Sequence, residues 1–94
     1  MRYEELRCDG KVFTSEAEIT RILKSKEFFW LIDSEIEGAK LEIKKDTLIW
    51  HGGSFYSGHW PYGIFKDGSF HGTWEGGIFE NGNFDGRWID GVRL

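Results

Sequence analysis

From Trp50 onward the chain repeats itself. An aromatic residue recurs at Trp50, Phe55, Trp60, Phe65, Phe70, Trp74, Phe79, Phe84 and Trp88, in steps of 5, 5, 5, 5, 4, 5, 5 and 4. Two units align without a gap at a period of 14: Trp60 to Thr73 matches Trp74 to Arg87, ring on ring. Trp88 opens a further copy, and Trp50 to His59 is an earlier partial one, longer by one residue. Repetition at a fixed period restricts the fold to architectures in which each unit buries its apolar side against the next.

Between most rings stands a dipeptide ending in glycine: Gly52-Gly53, Ser57-Gly58, Tyr62-Gly63, Asp67-Gly68, Gly76-Gly77, Asn81-Gly82 and Asp90-Gly91. Asp-Gly and Asn-Gly are favoured centres of two-residue type I′ turns, which need φ > 0 at both positions. Two arrangements place the same rings inward. One is a meander of short antiparallel hairpins that pairs Phe65 with Phe70 and Trp74 with Phe79. The other is a short β-solenoid in which each step is one face of a coil. The turn chemistry favours the hairpins, although they leave strands such as Ile78–Glu80 at marginal length. Gly72 and Gly86 would leave notches between large rings.

Residues 1–48 read differently from residues 49–94. Nine of the twelve Lys and Arg precede Leu48, and eleven of the thirteen glycines follow it. Gly10–Phe13 suits a short strand. Ser15 with Glu18 fits a capping box, and Ile19, Ile22 and Leu23 then fall on one helical face, with an end near Ser25. The apolar run within Glu27–Asp33 reads as a buried strand. Leu41 and Ile43 alternate with charges, as in a half-buried strand, and Leu48-Ile49-Trp50 begins the next. The expected class is α+β, mostly β, in a single domain of 94 residues.

Net charge is −4, a poor match for nucleic acid or anionic membrane. Cys8 is the only cysteine, which excludes an internal disulfide and a cysteine zinc site. No signal peptide or membrane-spanning run is visible, so a cytoplasmic location is expected. His51, His59 and His71 lack zinc-ligand spacing and sit beside rings or turn glycines, where a solvent-facing polar residue is expected. Asp67, Glu75, Glu80, Asp85 and Asp90 lie at or beside turns. No phosphate loop, nucleophile elbow or dinucleotide fingerprint occurs. The expectation is no enzyme, no cofactor and no metal.

Phe70-His-Gly-Thr-Trp-Glu-Gly-Gly and Phe84-Asp-Gly-Arg-Trp-Ile-Asp-Gly resemble the core of the membrane occupation and recognition nexus repeat, which implies an elongated sheet acting as a scaffold. Trp50–Phe70 also resembles pentapeptide-repeat proteins, with Gly53, Gly58, Gly63 and Gly68 in that family's small position, which implies a coil. Both resemblances imply binding without catalysis.

Aromatics form 17% of the chain, more than a small core needs. Trp50, Trp60, Trp74 and Trp88 suit a core, or else an exposed platform. Tyr56 and Tyr62, off the register, suit exposure. The expected function is a protein-interaction module, a small regulator, inhibitor or assembly subunit of the kind common among bacterial and bacteriophage accessory proteins. Its candidate contact residues are Tyr56, Trp60, Tyr62, Trp74 and Trp88. The alternatives are single-stranded nucleic-acid binding on stacked rings, with charge from Lys40, Lys44 and Lys45, and self-assembly through an open sheet edge at Asp90–Leu94 that Arg93 blunts.

Overall fold

The second half of the chain coils. In the computed structural model, which describes residues 1–94, every turn from Gly52-Gly53 to Asp90-Gly91 has positive φ at its second glycine alone; at Gly82, for example, φ is 119°. Asp67, Asn81 and Asp90 keep negative φ. That is the pattern of a type II turn rather than type I′. Each dipeptide therefore bends the strand around a corner instead of reversing it. The hairpin meander expected from the sequence is replaced by its alternative, a β-solenoid of about three turns.

Strand β4 (Thr47–Ser57) starts the coil, followed by the two-residue strands β5 (His59–Trp60), β6 (Ile64–Phe65), β7 (Ser69–Phe70), β8 (Thr73–Trp74), β9 (Ile78–Phe79), β10 (Asn83–Phe84), β11 (Arg87–Trp88) and β12 (Val92–Arg93). All of these pair in parallel and make three faces. The first is β4-β6-β9-β12, the second β4-β7-β10 and the third β5-β8-β11. β4 serves two faces because it bends at Gly52-Gly53. Strands of two residues suffice because each is held from the next turn. Lys66 N–H donates to the Trp50 carbonyl, Glu80 N–H to Phe65 and Leu94 N–H to Phe79, at 2.8–2.9 Å.

One ring column stands behind each face. Trp50, Phe65 and Phe79 form the first, Phe55, Phe70 and Phe84 the second, and Trp60, Trp74 and Trp88 the third. Rings within a column stack with planes 8–14° apart, and neighbouring columns meet edge to face. Both are favoured aromatic geometries. Such close coils dictate glycine at the corners: a Cβ on Gly82 or Gly86 would fall on the carbonyl oxygen of Gly68 or Gly72 one turn below.

The first half caps the coil. Strands β1 (Tyr3–Cys8) and β3 (Glu35–Lys44) are parallel, β2 (Lys11–Phe13) pairs β1, and β3 pairs β4 as an antiparallel hairpin. The type I′ turn of this chain is Asp9-Gly10, where both residues have positive φ and Cys8 faces Lys11. Helix α1 (Glu16–Ser25) begins where its capping box predicts, with Ser15 Oγ accepting from Glu18 N–H, and buries Ile19 and Leu23.

The run within Glu27–Asp33 is not the strand the sequence suggested but the short helix α2 (Phe29–Ile32). Glu27, at φ 65°, closes α1 and turns the chain back. α2 lays Trp30 edge-on to Trp60 at 5.0 Å. The Arg2 guanidinium satisfies the carbonyls at the end of α2, donating to Leu31, Ile32 and Ser34. A single core of 19 residues runs from Tyr3 to Phe79. No helix is long and apolar enough to cross a membrane.

Candidate interaction surface

With its rings turned inward, a solenoid offers a partner only the alternate, outward positions. On the first face these form one row across six strands: Arg7, Glu42, Ile49, Ile64, Ile78 and Val92, each opposite the next in register. Ile49 is buried yet stands outside the core cluster, Ile64 and Ile78 are half-buried, and Val92 is exposed. The result is an aliphatic strip on a sheet face, opening progressively toward Val92. Two residues further along, at the next outward position, His51 Nε2 meets Glu42 at 2.8 Å and Lys66 lies 3.7 Å from Glu80, which gives the strip a charged rim. The hydrogen bond from His51 holds the Glu42 carboxyl below its ordinary range.

The other outward columns are polar. Ser54, Ser69 and Asn83 line the second face, beside Tyr56, whose ring stacks on His71 at 6.2 Å. His59, Thr73 and Arg87 line the third. A shallow polar groove with a glycine floor of Gly58, Gly72 and Gly86 separates these two rows. Each histidine meets one carboxylate: His51 with Glu42, His59 with Glu75 at 3.1 Å, and His71 with Asp85 at 3.9 Å. Nowhere do three His, Cys, Asp or Glu side chains gather as a metal-binding group. Cys8 is buried, and that burial pushes its thiol pKa up, followed by the nearby Asp9 carboxylate.

The sequence-derived contact residues divide. Trp60 and Trp74 are fully buried, at 0% exposure, so in this fold they are core and offer no surface. Trp88 is half-buried at the end of its column. Tyr56 and Tyr62 are exposed, at 51% and 46%. They lie apart: Tyr56 edges the polar groove, whereas Tyr62 packs on Phe28 and Trp30 at the capped end. The Ile64 strip was not among the sequence candidates. Its signal was present, since an aliphatic residue precedes each ring of the first column, at an outward position where a polar residue is the norm.

Comparison with known proteins gives no match, whether to a family model, a curated protein or a solved structure.

Proposed function

We propose that this chain is a protein-interaction module that works by surface occupation, using the outer aliphatic strip of its first face as the contact. The observation that carries this reading is the register Ile49, Ile64, Ile78, Val92. Ile64, Ile78 and Val92 stand on the outward side of the sheet, outside the core cluster, with the buried Ile49 at the inner end of their row. They form a contiguous apolar patch with a charged rim, the arrangement of a protein contact site. The strip lies on the outer side of a sheet, which suits a protein surface better than a small molecule, whose sites are concave.

The nucleic-acid alternative needs exposed rings for bases to stack on. The rings that are stacked in series here lie in the interior.

The test is capture from host lysate by tagged wild-type chain and by the variants Ile64→Lys and Ile78→Lys, with thermal melts run alongside. A protein held by the wild type and lost by both variants, at unchanged melting temperature, supports the reading. Identical capture by all three sinks it.

A further inference from the structure

The first half of the chain sorts its charges by direction. β1, β3 and α1 all run the same way. β1 and β3 are parallel, the backbone N–H groups of Arg2 and Tyr3 at the start of β1 reach Glu16 at the start of α1, and Cys8, Ser25 and Lys26 at their far ends line one depression. Each element begins acidic and ends basic: Glu4 and Glu5 before Arg7, Glu16 and Glu18 before Lys24 and Lys26, Glu35 and Glu37 before Lys44 and Lys45. The helix gains from this order through its dipole, and parallel packing adds the three together. At the far end, Lys11, Lys24, Lys26, Lys44 and Lys45 are all exposed, and none has a carboxylate within 4.0 Å. Arg7, Arg21 and Lys66 are, by contrast, paired. Five unpaired lysines thus converge from three elements on one end of a chain whose net charge is −4.

Beside them lies a depression of about 430 Å³ lined by Lys26, Lys45, Glu27, Asp46, Phe28 and the exposed Tyr62, and Val12 stands exposed next to Lys11. We infer that this lysine end is a docking site for an acidic segment of a partner protein, whose carboxylates meet the lysines while an apolar side chain rests on Tyr62. The inference rests on the interaction-module reading and supplies the chemistry of the partner, but it uses a separate surface.

Charge complementarity carries the argument. A peptide is favoured over a nucleic-acid strand for two reasons. Asp9, Glu27 and Asp46 stand among the lysines, and a backbone with a charge at every step would have to pass them. A peptide with spaced carboxylates avoids them. The chain's net charge of −4 also opposes a strand that carries a charge at every step more than a peptide whose carboxylates are few.

The experiment is fluorescence anisotropy of the full chain with labelled poly-L-glutamate and with a labelled oligothymidylate of equal charge, at low and at physiological salt. The expected result is salt-sensitive binding of poly-L-glutamate that weakens by about 10-fold or more in Lys26→Glu/Lys45→Glu, with Arg87→Glu, on the exposed third face of the coil, as a control that leaves it unchanged. The milder Lys26→Gln/Lys45→Gln gives a smaller loss in the same direction. No binding, or binding indifferent to the Lys26 and Lys45 variants, overturns the proposal. So does tighter binding of the oligothymidylate, which hands the surface to nucleic acid. The aliphatic strip is judged separately by Ile78→Lys, so either surface can fail while the other stands.

Discussion

Trp74 lies face to face on Trp60 in the interior, with ring planes 9° apart and centroids separated by 5.1 Å. It also takes the edges of Phe70 and Phe79 and carries Trp88 above it. Trp74→Ala removes the middle of a column and leaves a cavity that the stiff coil cannot close, so a loss of about 3–5 kcal/mol is expected. Trp74→Phe is expected to cost much less. The indole N–H of Trp74 is buried without a partner, and Phe at the equivalent place in the other columns shows that a smaller ring stacks. Tyr56→Ala, on the surface, serves as the control with little effect. Urea unfolding followed by tryptophan fluorescence orders the three; Trp74→Ala no worse than Tyr56→Ala would contradict the stacked core.

Gly82 is a corner glycine held by both its backbone conformation and the turn below it. Its φ is 119°, and a Cβ there would fall on the Gly68 carbonyl oxygen of the turn below. Gly38 also has positive φ, at 63°, but nothing lies within 4 Å of the place its Cβ would occupy. Gly38→Ala therefore pays only for left-handed backbone, about 1–2 kcal/mol. Gly82→Ala adds a φ well outside the left-handed region and a clash within a close-packed ladder, together about 1–3 kcal/mol more. Equal denaturation midpoints for the two variants would show that the coils are not in contact at this corner.

How much of this was legible in the sequence depends on the range of the interaction. The capping box at Ser15 and Glu18 is local, and the helix starts where it says. The ring periodicity is local too, and it fixed which residues face inward in either arrangement. The choice between hairpin and coil turns on the φ of a single residue in each dipeptide, such as Asp67 before Gly68. That value is set by the turn of chain below, which no local preference reports. Asp9-Gly10 has the same letters as Asp67-Gly68 and does make a hairpin, because β2 is free to fold back along β1. The Phe29–Ile32 segment is apolar all round because one side lies under α1 while Trp30 covers Trp60. An end cap of this kind carries the same composition as a buried strand. Trp60 and Trp74 moved from candidate surface to core for a similar reason: three columns close on one another, and only the assembled coil shows that these two rings are enclosed on every side.

Glu42 makes the outer rim sensitive to acid. The hydrogen bond from His51 is the main cause of its lowered pKa; burial opposes it, and the charges of His51, Lys44 and Arg7 add to the lowering. A carboxyl whose folded pKa lies below its ordinary 4.5 contributes stability that is fully present above that value. The contribution is lost as pH falls through the depressed folded value, because the unfolded chain then binds the proton more readily. Glu42→Gln is expected to flatten the acid limb of a stability-against-pH curve, and His51→Ala to do the same. An acid limb unchanged in Glu42→Gln would remove this pair from the account.

Arg93 occupies, in register with Phe79, the place at which the first column would gain its next ring. Its guanidinium lies 5.5 Å from the Phe79 centroid and 5.1 Å from that of Phe84, so one cation covers the last rings of two columns. An exposed cation–π contact is worth about 0.5–1 kcal/mol. Arg93→Ala should lower the urea midpoint by a corresponding amount, and Arg93→Lys by less. Arg93→Phe separates covering from charge. The ring can stack on Phe79 and hold the midpoint near that of the wild type, but it replaces a hydrated cation with apolar surface beside the ladder of β12, and such an edge invites pairing with a second chain. Sedimentation at two concentrations should then show self-association for Arg93→Phe and none for Arg93→Ala. If Arg93→Ala unfolds at the wild-type midpoint, the guanidinium contributes nothing to the columns; if Arg93→Phe stays monomeric at high concentration, an apolar ring at that edge is not enough to pair it with a second chain.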